Sequence, residues 1–343
     1  MTSITLPLTY KAIELPAYNA NVVRAMLGLH IVEKTITQIS DNHLLVKMQA
    51  ASCNPSDIAF IQGGYNIFKS VPCVPGFEGT GIIAAVGAGL SADHWIGKRV
   101  SCFTQEDSDG TWAEYLIIKP GQLIQIDEAL TIDQAACFFI NPFTAFGLFE
   151  TAIQRKAQAI VINAAGSRVS DVLFALAKKN HIKTIGIVRR QQTMESLIKK
   201  GFDKVLLTSG ESFDENLRIV MQEFDSCVVY DAVGGEQTGI IANCLPANTE
   251  IVVYGGLSGK PVSGIDSMQL IFKKLTVSGF NLNEWMNIAE PAKIEQTKNT
   301  LTSMIVSEEI KIPINIHISI DEIVKGIRSY LGAMSDGKML IHF

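Results

Sequence analysis

Residues 162–190, INAAGSRVSDVLFALAKKNHIKTIGIVRR, decide the fold of the second half of this chain. The stretch opens on an apolar strand, passes through a turn of small residues into an amphipathic helical pattern, and ends on a second apolar strand. Such a βαβ unit is typical of domains that bind a dinucleotide at the N-terminus of the helix. Three glycines usually form the turn, but here Ala165, Ser167 and Ser170 stand in their places and Arg168 lies between them.

The altered turn still has the parts that hold a pyrophosphate. Backbone N–H groups bind the phosphate oxygens, so small side chains can replace glycines, and Gly166 is able to adopt a positive φ. We predict that the turn binds a dinucleotide, with Arg168 lying across the phosphates. The alternative is that Arg168 points to solvent and the turn has lost its ligand. The predicted cofactor contacts in this turn are Ala165, Gly166, Ser167, Arg168 and Val169.

The second strand of the unit indicates which dinucleotide binds. It ends in Arg189 and Arg190, whereas a site for NAD has Asp or Glu at this point to bind the ribose 2′-hydroxyl. A guanidinium group pairs well with a 2′-phosphate. The sequence therefore predicts NADPH as the cofactor, although two arginines after a strand are also compatible with an ordinary solvated strand end.

The chain around this unit shows two different patterns. After residue 159, short Val- and Ile-rich runs alternate with helical periodicity, which predicts an α/β domain with a doubly wound parallel sheet. Before about residue 126, short alternating segments broken by Gly and Pro predict a small antiparallel β-rich domain, to which the last helix and strand are expected to return. The predicted domains are 127–289 for the dinucleotide-binding domain and 1–126 with 290–343 for the β-rich domain, linked by a helix that starts near Asp133.

Composition limits the kinds of partner. The chain has 343 residues, 47% of them hydrophobic, and a net charge of −5, which suits two cores and argues against binding to nucleic acid or an anionic membrane. Six scattered cysteines without a C-x-x-C pair favour reduced, buried thiols. The N-terminal stretch lacks the pattern of a signal or transit peptide, and no apolar run is long enough for a membrane span. We expect a cytoplasmic protein that acts on a small molecule.

Motifs along nearly the whole chain resemble those of the medium-chain dehydrogenase/reductase superfamily, in its zinc-free branch. They are NPSDIAFIQGGY, VPGFEGTGIIAAVG, GKRV, GTWAEYLII, NPFTAF, YDAVGG, YGGLSG and GKMLIHF. Within that branch NPFTAFGLFE, VVYGGLSGKPV and LIFKKLTVSGFNLNEW are most similar to the 2-enoyl thioester reductases of the mitochondrial type. Quinone oxidoreductases share the first half of the motifs. The resemblance implies a GroES-like catalytic domain, a Rossmann domain and a homodimer.

The resemblance also argues against zinc. The metal-using alcohol dehydrogenases have a Cys and a His where this chain has Asn54 and Phe77, and neither of these residues ligates zinc. Their structural zinc lobe needs four closely spaced cysteines, but only Cys102 falls in that region. The histidines show no ligand spacing and are interpreted as surface or internally bonded side chains; they are His30, His43, His94, His181, His317 and His342.

A site without metal must stabilise developing charge with hydrogen bonds. Tyr65 matches the tyrosine that enoyl thioester reductases place beside the substrate, where a phenol can donate a hydrogen bond or a proton. The alternative is that Tyr65, which follows two glycines, only anchors its loop. Asn54 is the second catalytic candidate, because an amide at the former metal-ligand position can hydrogen-bond the nicotinamide or the substrate.

The resemblance implies further cofactor contacts. Asn141 and Thr144 of NPFTAF resemble residues that line the nicotinamide pocket, and an N-cap role in the linker helix is their alternative. Tyr254, Gly255 and Gly256 follow a strand at the carboxyl edge of the sheet, where open α/β sheets bind ligands. These residues are therefore expected near the nicotinamide ribose and ring.

One region departs from the enoyl reductases. Phe280 is expected to line the cofactor cleft, but Asn281 stands where those enzymes carry an aromatic residue, which alters the expected acyl pocket. The leading hypothesis is an NADPH-dependent, zinc-independent reductase of activated alkenes, with 2-enoyl thioesters as the first substrate class. The alternatives are a quinone or alkenal oxidoreductase and a non-catalytic NADPH-binding protein. Tyr65 and the YGG turn argue against the last of these, since a pure binder needs neither.

Overall fold

The computed structural model describes residues 5–210, 212–334 and 336–343. The first part of the chain contains β1 (Leu8–Glu14), α1 (Val22–Gly28), β2 (His30–Ile36), β3 (Leu44–Cys53), α2 (Pro55–Ile61), β4 (Glu78–Val86), α3 (Ala92–Trp95), β5 (Arg99–Phe103), β6 (Tyr115–Ile118), β7 (Leu123–Gln125) and α4 (Ile132–Ala136). The elements that follow are α5 (Ile140–Gln154), β8 (Ala159–Asn163), α6 (Arg168–Lys179), β9 (Lys183–Val188), α7 (Gln191–Lys200), β10 (Lys204–Leu207), α8 (Phe213–Met221), β11 (Cys227–Asp231), α9 (Glu236–Ala242), β12 (Glu250–Val253), α10 (Ser267–Lys273), β13 (Thr276–Gly279), α11 (Leu282–Ile288) and α12 (Pro291–Val306). The chain ends with β14 (Ile314–Ser319), α13 (Ile323–Ala333) and β15 (Lys338–His342).

The chain divides into two compact units. The first comprises the chain up to Ile140 together with Thr300–Phe343, and the second comprises Asn141–Asn299. These divisions lie further along the chain than the boundaries that the sequence predicts at 126/127 and 289/290.

The short helix α4 explains why the first division falls late. It packs on β3, β4 and β5, all strands of the first unit. Ala136 and Cys137, at the end of this helix, join Ala50 and Leu340 in a small buried cluster. The helix near Asp133 is therefore part of the first unit and not a linker, and the next helix, α5, begins at the division itself.

The second unit has the predicted doubly wound architecture. Among its described residues, a parallel sheet of six strands runs in the order β10-β9-β8-β11-β12-β13. The first strand, β8, is buried along its whole length, as a strand covered on both faces requires. Strand order reverses between β8 and β11, so the carboxyl ends of these two strands define the place where open α/β sheets bind ligands.

The first unit is β-rich, as predicted. Seven of its described strands form one sheet, in the order β14-β15-β3-β4-β5-β7 with β6 also pairing with β3. All pairs are antiparallel except β14 with β15. The terminal strand β15 pairs with β3 through Met339 and Cys53, which confirms that the end of the chain returns to this unit.

The core of the first unit lies beneath the segment that carries Tyr65. Trp112, Phe60 and Phe77 are fully buried in one cluster, and Tyr65 packs against its edge. In the part of the chain that the structure describes, no helix is both long and apolar enough to cross a membrane.

Candidate active site

The turn between β8 and α6 is held by its own backbone. The Ala165 N–H donates to strand β9 (3.2 Å), and the Ser167 N–H donates to the Ala164 carbonyl (2.9 Å). The positive φ of the turn is at Ala164 (46°) and not at Gly166, so the expectation for Gly166 is wrong. A Cβ at residue 166 would still lie 2.8 Å from Thr193 Cγ2, so glycine gives this turn room.

Helix α6 begins with a well-formed cap. Ser167 is the N-cap, and its hydroxyl accepts a hydrogen bond from the Ser170 N–H (3.3 Å). Val169 is buried in the first turn, and Lys178 and Lys179 lie in the last turn, where they suit the helix dipole. The N-terminus of a capped helix carries N–H donors and a partial positive charge, which together favour a phosphate group.

Arg168 does not extend across the turn. It is the first residue of α6, its Nη1 lies 2.9 Å from the Asp171 carboxylate, and its Nη2 donates to the Gly166 carbonyl (3.3 Å). Lys200 also forms an ion pair with Asp171. The expectation that Arg168 reaches over the phosphates is thus not met. Instead, two cations neutralise an acidic residue that would otherwise repel an anion at the helix N-terminus.

The small residues of the turn allow close packing. Two buried hydroxyls near the turn lack a well-aligned hydrogen-bond partner in the described part of the chain. Ala165 and Ser170 are fully buried, and a Cβ at Gly186 on β9 would lie 3.1 Å from the Ala165 Cβ. Within the described residues, the buried Ser170 Oγ and Tyr254 hydroxyl have no well-aligned hydrogen-bond partner. Burial raises the pKa of Tyr254 above its ordinary value, and the nearby Ser167 hydroxyl opposes that rise. Buried hydroxyls that lack a well-aligned partner beside a helix N-terminus fit a polar ligand.

The glycines after β12 have different surroundings. A Cβ at Gly255 would lie 2.8 Å from the Ala232 carbonyl oxygen, so only glycine lets the two backbones come this close. A Cβ at Gly256 would meet nothing within 4 Å. Tyr254 carries this turn from the end of β12, and its N–H donates to the Asp231 carbonyl (2.9 Å). The open side of Gly256 is thus a cradle at the carboxyl edge of the sheet.

A buried network that the sequence analysis missed fixes this edge. Asn163 ends β8, and its Nδ2 donates to Asp231 Oδ1 at the end of β11 (2.5 Å). Asp231 also accepts from the Thr238 hydroxyl (2.5 Å) and from the N–H groups of Val233 and Gly234. The signal was present in the motif YDAVGG, but a single sequence does not show that its Asp pairs with an Asn 68 residues earlier.

Arg189 and Arg190 directly follow β9. Both residues are exposed, and β9 is the strand next to β8 on the side away from β11. In the dinucleotide-binding unit this strand end holds the residue that reads the ribose 2′ position. The structure thus shows both arginines exposed at the end of β9, and their binding of a 2′-phosphate stays a prediction.

Asn141, Thr144 and Phe280 meet the same helix. Asn141 lies in the first turn of α5 and is partly exposed, while Thr144 is buried one turn later on the same face. Phe280 follows β13, and its ring fills the space beside Gly147 of α5, where a Cβ would lie 2.6 Å from Phe280 Cζ. Trp285 adds a second ring there and donates from Nε1 to Glu150 Oε2 (2.8 Å).

Asn281 has a local structural role. It is the N-cap of α11, and its side chain accepts from the Glu284 N–H (3.1 Å). The residue is exposed. The replacement of an aromatic residue at this position therefore introduces a helix cap, which is a property that the sequence comparison alone does not reveal.

Tyr65 is oriented as a hydrogen-bond donor. Its ring packs on Phe77 (centroids 5.5 Å apart), and its phenol oxygen accepts from Gln105 Nε2 (3.2 Å), which leaves the O–H to donate elsewhere. Burial raises the pKa of Tyr65, against the effect of the Gln105 hydrogen bond. The phenol is thus protonated at neutral pH.

The loop that carries Tyr65 is anchored at a different residue. The Tyr18 hydroxyl donates to the Lys69 carbonyl (2.9 Å) and accepts from the Lys69 N–H (2.8 Å). Lys69 is buried, donates to the Ser108 carbonyl (2.6 Å), and lies 5.9 Å from the ring centroids of both Phe60 and Phe77. Tyr18 and Lys69 therefore supply an anchor for this loop that does not involve the Tyr65 hydroxyl.

Asn54 is engaged inside the protein. Its Nδ2 donates to Ser52 Oγ (3.1 Å) and Glu78 Oε2 (3.0 Å), and its Oδ1 accepts from Lys338 Nζ. All four residues are buried, and we call them the Asn54 cluster. Glu78 Oε1 also accepts from the Ile140 N–H (2.7 Å). This geometry does not favour a direct hydrogen bond from Asn54 to the nicotinamide or the substrate, and it assigns Asn54 a positioning role.

Asp57 borders the Asn54 cluster. Its carboxylate accepts from the N–H groups of Asn54 (2.7 Å) and Phe77 (2.9 Å). Burial raises the pKa of Asp57 to about 7, although these two hydrogen bonds favour the charged form. Phe77 itself is fully buried in the hydrophobic core.

The cysteines are not arranged as nucleophiles or metal ligands. All six are free and buried, and burial raises the pKa of each thiol above its ordinary value. The thiols therefore stay protonated at neutral pH, which is the unreactive form. This agrees with the interpretation of the six cysteines as reduced, buried residues.

Together these features define a class of protein. In the second unit, a capped helix N-terminus, a glycine cradle and a pair of arginines suit a dinucleotide. The first unit presents a protonated phenol, Tyr65. The chain combines a GroES-like unit with a Rossmann unit, and this combination is that of a dinucleotide-dependent oxidoreductase.

Comparison with known proteins identifies the family. Residues 40–128 match the alcohol dehydrogenase GroES-like domain. The chain is 31% identical over 291 residues to the mitochondrial enoyl-acyl-carrier-protein reductase of Caenorhabditis elegans, which covers 81% of each chain. It is 30% identical over 261 residues to the enzyme of that name from Arabidopsis thaliana, covering 74% of this chain and 68% of the relative.

A solved structure shows the same fold. A protein from Mesorhizobium loti assigned as an NADPH:quinone reductase superposes with a TM-score of 0.91 at 27% identity, covering 99% of this chain and 100% of the other. This chain belongs to the medium-chain dehydrogenase/reductase superfamily and is an oxidoreductase.

Proposed function

We propose that this protein is an NADPH-dependent, zinc-independent reductase of activated alkenes, with 2-enoyl thioesters as its substrates. The observation that carries the proposal is the Tyr65 phenol, which is protonated, packed on Phe77 and oriented with its O–H available to donate. The curated relatives at 30–31% identity are named as enoyl-acyl-carrier-protein reductases, which supports the thioester substrate class.

NADPH is the cofactor that the second unit suits. The capped N-terminus of α6 and the Ser170 and Tyr254 hydroxyls suit the pyrophosphate, and Arg189 and Arg190 suit the 2′-phosphate. The Mesorhizobium loti protein is assigned as an NADPH-using enzyme, which supports the same choice. We further propose Asn141, Thr144, Gly255, Gly256 and Phe280 as contacts of the nicotinamide half; Ala165, Gly166, Ser167, Arg168 and Val169 form the turn of the pyrophosphate half.

The proposed reaction assigns a separate role to NADPH, to Tyr65 and to the residues that position Tyr65. NADPH, when bound, would supply a hydride to the β-carbon of the unsaturated thioester. The alkene π pair would become the new bond between the α-carbon and the carbonyl carbon, the carbonyl π pair would move to the oxygen, and a proton would then add to the α-carbon. The Tyr65 O–H donates to the developing enolate oxygen or delivers the proton. The Asn54 cluster and Asp57 hold the chain on either side of α2 and Phe77, so they fix the place of Tyr65 without touching the substrate.

A quinone or alkenal reductase is the second candidate. It is favoured by the high structural similarity to the Mesorhizobium loti protein and by Asn281, which caps α11 in the place of an aromatic residue. The same hydride donor and the same phenol would serve a quinone or a short alkenal. A non-catalytic NADPH-binding protein is the third candidate, and it needs no oriented Tyr65.

We propose that the protein forms a homodimer through the β13 edge of the six-stranded sheet. Strand β13 pairs only with β12 among the described strands, and an unpaired edge invites association with another strand. The segment from the end of β12 to β13 carries several exposed apolar side chains, and such a group is typical of an interaction surface. They are Leu257, Val262, Met268, Leu270, Ile271, Phe272 and Val277. A second copy would bury the same patch by two-fold symmetry, and sedimentation of the protein and of Phe272→Lys tests this.

We propose the cytoplasm as the compartment. The six reduced cysteines suit a reducing environment, while the curated relatives are named as mitochondrial proteins. Imaging of the tagged full chain against a mitochondrial marker decides between the two.

The test of the proposed activity is a parallel rate measurement. NADPH oxidation is followed with crotonyl-CoA, a simple quinone and a short alkenal, and the product of each reaction is identified. We expect the largest kcat/KM for crotonyl-CoA, with butyryl-CoA as the product. A larger value for the quinone or the alkenal selects the second candidate. Tight NADPH binding without turnover of any of the three selects the third.

A further inference from the structure

Three side chains of types that bind metal ions meet on the first unit, and none of them is among the residues placed in the active site. His317 lies on β14, His342 on β15, and Asp133 in the first turn of α4. One possible ligand atom from each residue lies within 4.8 Å of the others. The sequence analysis treated these histidines as isolated, because they are 25 residues apart and the carboxylate comes from the other end of the unit.

The distances bring the three side chains within reach of one ion. His317 Nδ1 lies 3.0 Å from His342 Nε2, and the Asp133 carboxylate lies 3.6 Å from His342 Nε2 and 3.9 Å from His317 Nε2. Metal–ligand bonds of about 2.0–2.2 Å at tetrahedral angles separate neighbouring ligand atoms by about 3.3–3.6 Å. The separation between Asp133 and His342 is close to that range, whereas His317 faces its two partners with different ring nitrogens, so its ring has to turn before one nitrogen binds the ion.

Rotation of the His317 ring would let the three side chains share an ion. The imidazole planes are 27° apart, with centroids separated by 5.2 Å. Rotation of a histidine ring about its terminal side-chain bond is soft, because that torsion has broad energy wells. The 3.0 Å approach also requires that one ring nitrogen present its lone pair to the other, and a lone pair is what a metal ligand needs.

We propose that Asp133, His317 and His342 form a binding site for a divalent transition metal, with Zn²⁺ as the reference ion. Imidazole and carboxylate ligands suit Zn²⁺, and all three side chains are partly exposed, so water completes the coordination. No residue of the site belongs to the proposed catalytic or cofactor-binding set. The site is therefore separate from the reductase chemistry, which remains metal-independent.

The expected consequence of binding is mechanical. The metal would tie the last two strands of the chain to α4, which packs on the sheet of the same unit. Because the ligands come together only in the folded chain, Zn²⁺ would bind the native state and raise the temperature of unfolding.

The test uses untagged protein, freed of metal with a chelator, and ZnCl2 as the titrant in calorimetry. The variants are His317→Ala, His342→Ala and Asp133→Asn, and His94→Ala, an exposed histidine on α3, is the matched control. We expect one Zn²⁺ per chain for the wild type and for His94→Ala. Each cluster variant should bind at least about tenfold more weakly.

Co²⁺ provides a second readout that does not depend on a perturbed variant. Binding to His317, His342 and Asp133 gives the visible absorption of a low-coordinate cobalt ion without a thiolate charge-transfer band, because no cysteine takes part. Equal zinc affinity in the wild type and the double variant His317→Ala/His342→Ala, no saturable binding, or a thiolate band would each overturn the proposal. The last two results would show that the three side chains form a hydrogen-bonded cluster only.

Discussion

The Asn54 cluster and the turn between β8 and α6 differ from related proteins in opposite ways. In the cluster, Asn54 stands at the position of a metal ligand of the alcohol dehydrogenases, and its side chain is hydrogen-bonded to Ser52, Glu78 and Lys338. In the turn, small residues replace the glycines, but the N-terminus of α6 keeps its N–H donors. The buried hydroxyls of Ser170 and Tyr254 beside it lack well-aligned hydrogen-bond partners among the described residues. The polar groups of the Asn54 cluster thus bond to one another, whereas the turn between β8 and α6 keeps groups that can bind a ligand.

The difference shows what each kind of site depends on. A metal centre depends on the identity of its side chains, so one replacement removes the chemistry and leaves a polar group that must be satisfied internally. A phosphate site depends on backbone N–H groups, so it tolerates Ala165 and Ser170 as long as the side chains stay small. Under the proposed function, charge stabilisation in the first unit comes from a different group, and we assign that role to Tyr65.

The largest expected effect is that of Tyr65→Phe. Loss of the hydroxyl removes a donor whose interaction strengthens as the enolate forms, so kcat should fall by about 10²–10⁴-fold while NADPH affinity changes little. Steady-state kinetics with crotonyl-CoA measures the first quantity, and fluorescence titration measures the second.

Tyr18→Phe is the matched control for that variant, because it removes the hydroxyl that anchors the same loop at Lys69. It should reduce the free energy of unfolding by about 1–2 kcal/mol and leave kcat near that of the wild type. If Tyr65→Phe retains the wild-type kcat, Tyr65 is a loop anchor and charge stabilisation has to be sought elsewhere.

The next largest effect concerns the preference for NADPH over NADH. Arg189→Ala should reduce the preference for NADPH over NADH by about tenfold to a hundredfold, because a charged pair to phosphate contributes roughly 1.5–3 kcal/mol. Lys183→Ala, at the opposite end of β9, is the control and should leave the preference unchanged. Equal dissociation constants for NADPH and NADH in the wild type would contradict the assignment of the 2′-phosphate site.

A smaller effect tests the cradle after β12. Gly256→Ala places a methyl group in open space, so the free energy of unfolding should not change. If the nicotinamide half occupies that space, NADPH binding should weaken by about 1–3 kcal/mol, which is five- to 150-fold in the dissociation constant. Gly121→Ala, also in open space but in the first unit, is the control and should not affect NADPH binding. Wild-type affinity in Gly256→Ala would remove this glycine from the site.

Much of this fold follows from local patterns, and the parts that do not follow depend on tertiary packing. The strands of the second unit are predicted because buried parallel strands read as continuous Val and Ile runs, as AIVIN of β8 does. The return of the last strand to the first unit is predicted from the spare strand at the end of the chain, but its pairing with β3 is seen only in the structure. The first division of the chain is not predicted, because only the packing of α4 on the sheet assigns residues 127–140 to the first unit.

In the candidate site, too, some features follow from the sequence and others depend on tertiary packing. The position of Arg189 and Arg190 follows from the end of a strand, and that of Tyr65 from a motif. The partners of Asn54 and Arg168 do not follow, since Lys338 lies 284 residues from Asn54 and the capping geometry of α6 decides where Arg168 points. A sequence shows which residues are available, but it does not show which of them already have partners.

A further prediction concerns the pH dependence of stability at Asp57, which borders the Asn54 cluster. A buried carboxyl with a pKa of about 7 in the folded protein, against an ordinary value of 3.8, holds its proton when the unfolded chain has lost it. The contribution of Asp57 to the free energy of unfolding should therefore be fully present below about pH 4 and should decline as the pH rises to 7, by at most about 1.4 kcal/mol per pH unit. Denaturation of the wild type and of Asp57→Asn across pH 4–8 measures the difference between their slopes. Parallel curves would show that Asp57 is ionised throughout.

The central claim is that a metal-free site transfers hydride from NADPH to the β-carbon of an enoyl thioester. The direct measurement uses chelator-treated protein, NADPH carrying deuterium at the transferable C4 position, and crotonyl-CoA in ordinary water, with the product analysed by NMR. We expect butyryl-CoA with deuterium at the β-carbon and a solvent-derived proton at the α-carbon, at the same rate as untreated protein. Loss of turnover on chelation, or a product without deuterium at the β-carbon, would contradict it.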